Sequence, residues 1–157
     1  MNKVIIIMGS KSDLDWSKKI AKALDNFGIE CILRIASAHK VPLKCYNLIK
    51  EYEKDNVIFI TVAGRSNALS GFTDAQTFCP VIACPPYSEK FGGTDIYSSL
   101  RMPSGVAPMV ITEAENAALA VAKIFGLSDE KIQKNVIEYQ SKMKDILEKD
   151  DKELNNG

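Results

Sequence analysis

The sequence predicts an α/β fold, a parallel sheet covered by helices on both faces, and three observations support this prediction. Short, almost uninterrupted apolar segments recur along the chain, as in strands that are buried on both faces. Segments with apolar residues three or four positions apart alternate with them, which is typical of βαβ units. The length of 157 residues fits about one domain, without repeats or a linker composition, so we predict a single domain over residues 1–157.

Charge and composition exclude several classes of protein. The 20 Lys and Arg residues balance 20 Asp and Glu residues, which argues against nucleic-acid or anionic-membrane partners, since these require excess positive charge. No apolar segment approaches the roughly 20 residues that span a bilayer, and the N-terminus lacks a signal-peptide pattern. We therefore expect a cytoplasmic protein. The scattered Cys31, Cys45, Cys79 and Cys84 fit buried free thiols better than a zinc site.

The apolar segments predict five strands: residues 4–8, 31–36, 57–63, 81–84 and 106–111. The first strand stops at a polar turn that begins with Gly9, and the third is rich in the β-branched residues that favour strands. Five parallel strands with helices between them are typical of a three-layer, flavodoxin-like fold, which is our prediction.

The helices follow from apolar periodicity and from their end signals. The first helix ends near Gly28, and its apolar face consists of Trp16, Ile20, Leu24 and Phe27. The second helix opens with Pro42, a residue that suits a first helical turn. Shorter helical segments are predicted over residues 69–78 and 94–100.

Two longer helices complete the chain. Thr112 and Glu115 form a predicted capping box for a helix that ends at Gly126. An added C-terminal helix begins near Ser128, and its apolar stripe consists of Ile132, Val136, Tyr139, Met143 and Ile146. We expect this stripe to lie in the core or in a subunit interface, and the charged tail over residues 148–157 to fray.

In such a fold, ligands bind beyond the carboxyl ends of the strands, where the strand order reverses. The loops after the first three strands are therefore the predicted ligand site: residues 9–13, 37–40 and 64–67. In the first loop, the hydroxyls of Ser10 and Ser12 and the helix N-terminus suit a phosphate, and Asp13 suits a ribose diol. Alternatively, Ser12 or Asp13 only caps the helix. No dinucleotide or Walker motif supports NAD or ATP binding.

The second loop holds His39, the only histidine in the sequence and the side chain best suited to proton transfer near neutral pH. Lys40 beside it favours the neutral imidazole and could hold an anionic group, although an ordinary surface histidine is the alternative. In the third loop, Asn67 could orient a small polar molecule or occupy a turn at positive φ. The loop over residues 85–93 could fold over the site or be a plain surface loop.

Four segments in these loops identify a family when they are taken together. They are residues 8–13 (MGSKSD), 37–40 (SAHK), 63–71 (AGRSNALSG) and 98–105 (SSLRMPSG). In this order, and in register with the five strands, they resemble the phosphoribosylaminoimidazole carboxylase family of purine biosynthesis over residues 4–125.

The resemblance extends to one of the two branches of that family. The commoner bacterial branch is a mutase that moves a carboxylate from N5 of the substrate to C4, and it carries a second loop histidine and usually an arginine. This sequence has Ala68 and Lys40 at those two positions. Both departures resemble the class II branch, which carboxylates aminoimidazole ribonucleotide directly with CO2.

The resemblance implies roles for the matched residues. The ribose and phosphate would be held by Ser10, Ser12, Asp13, Ser37 and Lys40. His39 would be the general acid–base. The pocket for CO2 and the imidazole would be shaped by Gly64, Ser66 and Asn67. The resemblance also implies a homo-tetramer or homo-octamer.

The implied reaction requires no cofactor, because C4 of the aminoimidazole is already nucleophilic and can attack a CO2 molecule that is held beside it. The mutase is the alternative within the family. A non-enzymatic flavodoxin-like module that binds a nucleotide or flavin is the alternative of a different class, since a fold does not determine function.

Overall fold

The computed structural model describes residues 2–155, and its strands form a five-stranded parallel sheet. The strands are β1 (Lys3–Met8), β2 (Glu30–Ile35), β3 (Val57–Val62), β4 (Val81–Ala83) and β5 (Met109–Val110). Their order across the sheet is β2-β1-β3-β4-β5, so the strand order reverses between β1 and β3. The predicted flavodoxin-like sheet is confirmed.

Helices cover both faces of this sheet. They are α1 (Leu14–Asp25), α2 (Pro42–Tyr52), α3 (Ala68–Ala75), α4 (Tyr97–Leu100), α5 (Ala114–Phe125) and α6 (Glu130–Asn155). Residues of α1, α5 and α6 share one buried cluster with the sheet, and residues of α2 and α3 share the other. The molecule therefore has the three layers that the alternation of strands and helices predicts.

The two central strands explain why the apolar segments are uninterrupted. In β1, Val4, Ile6 and Met8 pack towards α1 and α5, whereas Ile5 and Ile7 pack towards α2 and α3. Successive side chains of a strand point to opposite faces, so a strand that is covered on both faces needs an apolar residue at every position.

The C-terminal helix α6 joins the core only through its first turns. Ile132 and Val136 are buried, the Tyr139 ring lies edge-on to Phe27 at 5.2 Å between centroids, and the Asn135 amide donates to the Phe27 carbonyl at 3.0 Å. Further along, α6 exposes large apolar side chains, namely Met143, Ile146, Leu147 and Leu154. The helix therefore has an apolar face that extends beyond the rest of the chain.

The fraying of residues 148–157 stays a prediction, although α6 continues to Asn155 in the structure. Lys149 and Glu153 form an ion pair of 3.5 Å one turn apart, and the Asn155 amide donates to the Asp151 carbonyl at 2.9 Å. Such i,i+4 contacts stabilise an exposed helix without tertiary packing. Residues 156–157 lie outside the described residues.

The fifth strand is shorter than the predicted residues 106–111. Pro108 has no N–H to give to the sheet, and the Ala107 N–H donates to the Asp74 carboxylate at 2.7 Å. The segment before Met109 is thus tied to α3 rather than to β4. Sheet pairing is confined to Met109–Val110, followed by the bond from the Ile111 N–H to the Ala83 carbonyl at 2.9 Å.

The predicted capping box at the start of α5 is also wrong. The N-cap is Glu113, one residue later than predicted, and its carbonyl accepts the first helical bond, from the Ala117 N–H at 2.9 Å. Thr112 therefore precedes the N-cap, and Glu115 is the second rather than the third helical residue. The sequence contains the residue types of a capping box, but the helix begins one residue too late for Thr112 and Glu115 to occupy the two positions that the box requires.

The cysteines are free thiols, and Cys45, Cys79 and Cys84 are buried as predicted, whereas Cys31 is half-buried. Burial raises the pKa of Cys45 to about 11 and that of Cys84 to about 12. Such thiols are neutral and unreactive near neutral pH. Among residues 2–155, none of the helices has the length and apolar character needed to cross a membrane.

Candidate functional site

A cavity of about 600 Å³ opens at the carboxyl ends of β1, β2 and β3, where the strand order reverses. The loops that follow these three strands meet there. All of the residues proposed from the sequence except Asn67 line this cavity: Ser10, Ser12, Asp13, Ser37, His39, Lys40, Gly64 and Ser66. Parallel strands bring these loops together because their carboxyl ends share one edge of the sheet.

The turn after β1 is held by its own side chains. The Gly9 N–H donates to the Val62 carbonyl at 2.9 Å and ties the turn to the end of β3. The Asp13 carboxylate accepts from the Ser10 N–H at 3.1 Å and from the Ser10 hydroxyl at 3.3 Å, and the Ser10 and Ser12 hydroxyls bond to each other. Asp13 therefore closes the turn and also lines the cavity, and its role towards a ribose diol stays a prediction.

The fold alters the pKa of Asp13, whose carboxylate lies in the wall formed by the turn after β1. Partial burial raises its pKa above the ordinary value, and the two hydrogen bonds from Ser10 act in the opposite direction. Burial dominates because it removes water from the charged form. A ligand that brings hydroxyl donors to Asp13 would replace that lost hydration.

The turn after β2 presents its two titratable side chains outward. The Ser37 hydroxyl accepts from the Lys40 N–H at 3.2 Å, and the Ser37 carbonyl accepts from the Val41 N–H at 2.9 Å. These bonds shape the turn, while the His39 and Lys40 side chains are exposed at the mouth of the cavity. An imidazole and an ammonium group therefore reach the same ligand volume.

The loop after β3 forms the opposite wall. Ser66 has a left-handed backbone (φ 46°), which is unusual for a residue other than glycine. Asn67 has φ −70°, so the positive φ that was one alternative for Asn67 belongs to its neighbour. The Asn67 side chain is buried behind the wall and accepts from the Ser70 N–H at 3.2 Å, which makes it the N-cap of α3.

The loop after β4, for which the sequence left open a place over the site or a plain surface position, also contributes to the wall, but no individual site residue was predicted in it. This part of the wall consists of Pro86, Ser88, Lys90 and Asp95. The chain reverses here through three consecutive left-handed residues, at Phe91, Gly92 and Gly93. The Pro and Gly residues were the available signal, and they are compatible with the interpretation that this loop folds over the site. Arg65 is a further cation on the wall that no role had been predicted for.

Taken together, the cavity combines hydroxyls and a helix start on one side with an ammonium group and a single imidazole. It defines a protein of the flavodoxin-like fold that can hold a small anionic, hydroxyl-rich ligand and exchange a proton with it. The sequence profile described as AIR carboxylase matches residues 3–146. The chain therefore belongs to the AIR carboxylase family, whose enzymes act in purine biosynthesis.

Individual relatives agree with this assignment. A phosphoribosylaminoimidazole carboxylase from Archaeoglobus fulgidus is 65% identical over 152 residues, which cover 97% of this chain and 84% of the relative. The crystal structure of Treponema denticola PurE matches with a TM-score of 0.93 and 50% identity, covering 97% of this chain and 98% of that one. The family and the fold proposed from the four sequence segments are confirmed.

A more distant relative carries a different name. A protein from Methanocaldococcus jannaschii that is named N5-carboxyaminoimidazole ribonucleotide mutase is 41% identical over 143 residues, which cover 90% of each chain. The family therefore includes proteins named for both reactions.

Proposed function

We propose that this protein joins CO2 to C4 of 5-aminoimidazole ribonucleotide and forms 4-carboxy-5-aminoimidazole ribonucleotide. The observation that carries the proposal is the cavity itself. His39 and Lys40 lie on one side of it, and Ala68, the first residue of α3, lies on another side. In the mutase branch of the family, from which this sequence departs, a second histidine would occupy the position of Ala68. The named carboxylase from Archaeoglobus fulgidus, at 65% identity, supports the same choice.

The wall formed by the loops after β1 and β2 suits the ribose phosphate. The Ser10 and Ser12 hydroxyls and the N–H groups at the following helical turn are donors for phosphate oxygens, and Lys40 adds a positive charge. Asp13 accepts from the ribose hydroxyls, and Ser37 keeps the second turn in place. This arrangement leaves the aminoimidazole ring within reach of His39.

The chemical step balances with one base and no activating group. The C4 electron pair of the enamine-like ring attacks the carbon of CO2, a carbon–carbon bond forms, and one C=O pair becomes the carboxylate charge. C4 is then tetrahedral, and the ring becomes aromatic again when its C4 proton leaves. Because the nucleophile is already in the substrate, neither biotin nor ATP nor a metal ion is required; the protein supplies proximity.

His39 is the base for that proton. It is the only histidine in the sequence, and it stands at the mouth of the cavity, from which the proton can pass to water. Positioned general bases typically accelerate such steps by about 100- to 10,000-fold. Gly64 and Ser66, on the opposite wall, contact the CO2 end of the reacting pair, while Lys40 donates to the carboxylate as it forms. Asn67 lies behind this wall and supports it as the N-cap of α3.

The mutase is the second candidate, supported by the 41% identical relative that bears that name. One experiment separates the two reactions. Aminoimidazole ribonucleotide is supplied with bicarbonate and without ATP, and the N5-carbamate is supplied separately while released CO2 is scavenged. We expect the carboxylated product to accumulate faster in the first assay. Faster turnover of the carbamate under scavenging would assign the protein to the mutase reaction despite Ala68.

The active form is predicted to be a homo-tetramer or homo-octamer. The apolar side chains that α6 exposes beyond Tyr139 support this prediction, because large exposed apolar faces usually mark an interface. Light scattering at micromolar concentration, combined with an activity assay on the same fractions, checks it; an active monomer would contradict it. Cytoplasmic localisation and a single catalytic domain also stay predictions.

A further inference from the structure

We infer that residues 98–107 (SSLRMPSGVA) position the cavity wall formed by residues 64–68, and that Ser98 and Ser99 are positioning residues for the reaction. This segment contains one of the four family segments, but it contributes nothing to the lining of the 600 Å³ cavity. Its structural role is found instead on the far side of α3. The inference rests on the proposed function only in stating which substrate the wall contacts.

The segment follows α3 along its whole length. It meets Asn67 at the N-cap, Gly71 in the middle and Asp74 near the C-terminus of the helix. These positions are four and three residues apart, so they lie on one face of α3. Three attachments along one face fix both the position and the rotation of the helix.

The first attachment consists of hydrogen bonds to Asn67. The Ser98 hydroxyl accepts from the Asn67 N–H at 2.8 Å and donates to the Asp95 carbonyl at 2.7 Å. The Ser99 hydroxyl, which is buried, accepts from the Asn67 side-chain amide at 2.9 Å. The amide oxygen of Asn67 then faces the Ser70 N–H, so both ends of the side chain are used.

The second attachment is a close contact at Gly71. A Cβ atom at this position would lie 2.9 Å from the Met102 sulfur and 3.4 Å from its methyl carbon. Real Cβ atoms do not approach sulfur this closely, so glycine lets the helix and the segment touch. Glycine within a helix costs about 1 kcal/mol relative to alanine, and here the close packing offsets that cost.

The third attachment is the bond from the Ala107 N–H to the Asp74 carboxylate, at 2.7 Å. The chain reaches it after a turn closed by the bond from the Val106 N–H to the Pro103 carbonyl, in which Gly105 has φ 84°. This turn leads the segment back along α3 and towards β5.

The attachments matter because the wall contains a strained residue. Ser66 is left-handed, and such residues persist only where their surroundings hold them in place, at a cost of about 1–3 kcal/mol. The Ala68 N–H bonds back to the Ser66 carbonyl at 2.8 Å, and the N–H of Asn67 is held by Ser98. Without the Ser98 hydroxyl the Asn67 N–H, in the peptide that follows Ser66, loses its partner, and the wall can relax away from the reacting atoms.

The test compares Ser98→Val with Ser98→Thr, which have the same shape and differ in the hydroxyl. Ser98 is partly exposed, so the fold has room for either side chain. A misplacement of about 1 Å near reacting groups can cost up to ~100-fold in rate. We expect Ser98→Val to lower kcat/KM for CO2 by about tenfold and to leave the nucleotide KM within about twofold. Ser98→Thr should retain most of the wild-type value.

Thermal melting of each variant separates positioning from general destabilisation. Val136→Ala, in α6 and far from the site, is the matched control for a similar loss of melting temperature and should keep its kinetic constants. The inference is overturned if Ser98→Val and Ser98→Thr have equal kcat/KM, or if Ser98→Val raises the nucleotide KM as much as it lowers kcat.

The outcome remains separable from that of the proposed function. If the wild-type protein turns over only the N5-carbamate, the proposed carboxylation fails, and the same variants are compared on kcat with the carbamate. A tenfold difference between Ser98→Val and Ser98→Thr would then still support the positioning role, and equal values would overturn it.

Discussion

The loops after β1 and β2 bring functional side chains to the cavity from exposed turns, whereas the loop after β3 lines it mainly with small residues that are held from behind, Arg65 being the exception. On the first side, His39 and Lys40 reach the ligand volume directly. On the second side, the polar side chain with the most contacts is Asn67, which is buried and points away from the cavity lining. The loops after β1 and β2 therefore carry the groups that contact the ligand, and the loop after β3 mainly determines the form of the cavity wall.

This difference means that the two sides should respond differently to substitution. A change on the first side removes a group that contacts the ligand, so it should alter turnover or nucleotide affinity and leave stability almost unchanged. A change on the second side disturbs buried contacts, so it should alter stability and activity together. The following predictions test this contrast, beginning with the largest expected effect.

His39→Asn should lower kcat by about 100- to 10,000-fold, because asparagine keeps a polar side chain but removes the base. The nucleotide KM and the melting temperature should stay close to wild-type values, since His39 is exposed. Steady-state kinetics and thermal melting measure both. Activity near the wild-type level would remove His39 from the mechanism.

Lys40→Ala should raise the nucleotide KM by about 10- to 100-fold, because a charge-assisted hydrogen bond contributes about 1.5–3 kcal/mol. The kcat for bound substrate should fall less than the affinity. Lys44→Ala, an exposed lysine in α2 that does not line the cavity, is the control and should leave KM unchanged. An unaltered nucleotide KM in Lys40→Ala would contradict an anion-binding role.

Gly71→Ala tests the second side, because its methyl group would lie 2.9 Å from the Met102 sulfur. We expect the methyl group to displace the flexible end of the Met102 side chain, at a cost that offsets part of the roughly 1 kcal/mol of helix propensity that alanine gains, and Met102→Ala in the same chain to remove that cost. The coupling between the two positions should be about 0.5–1 kcal/mol in denaturant unfolding of the four proteins. If Gly71→Ala gains the full roughly 1 kcal/mol of helix propensity with no coupling, the contact with Met102 does not restrain α3.

Asp13→Asn should slightly stabilise the protein at pH 7. Burial raises the pKa of Asp13 above its usual 3.8. The protonated Asp13 therefore stabilises the folded state fully below pH 3.8, and this stabilisation is lost as the pH rises through the raised pKa. Asparagine cannot ionise, so the variant avoids this loss and still accepts from the Ser10 N–H.

The gain should be below about 1 kcal/mol because water screens a half-exposed carboxyl. Melting temperatures at pH 7 and near pH 4 measure it, and the difference from wild type should shrink at the lower pH. Asp15→Asn, at an exposed carboxylate in the first turn of α1, is the control. A variant that is less stable than wild type at pH 7 would contradict the prediction.

Much of the first side could be predicted from the sequence, because its signals are local. A polar turn after an apolar strand, a single histidine and a neighbouring lysine are visible in the residue order, and parallel pairing brings their loops to one edge. The central strands β1 and β3 could be predicted equally well from the sequence, since a strand buried on both faces is apolar at every position.

The two misplaced elements have different physical causes. The fifth strand was predicted too long because the Ala107 N–H donates to Asp74 on α3 instead of to β4. The capping box was displaced because helix register, rather than residue type, determines which residue is the N-cap. Neither outcome can be read from residues that are adjacent in the chain.

By itself the sequence determined the α/β alternation, the family and the set of polar loops, because these depend on periodicity and on residue type. Only the tertiary structure decided that Asn67 lies behind the wall, that Lys90 and Asp95 join the lining, and that residues 98–107 hold α3. The contacts of Asn67 with Ser99 and of Asp74 with Ala107 join residues about 30 positions apart, and the cavity lining brings Lys90 and Asp95 beside loops from other strands, so all three facts depend on how distant parts of the chain pack together.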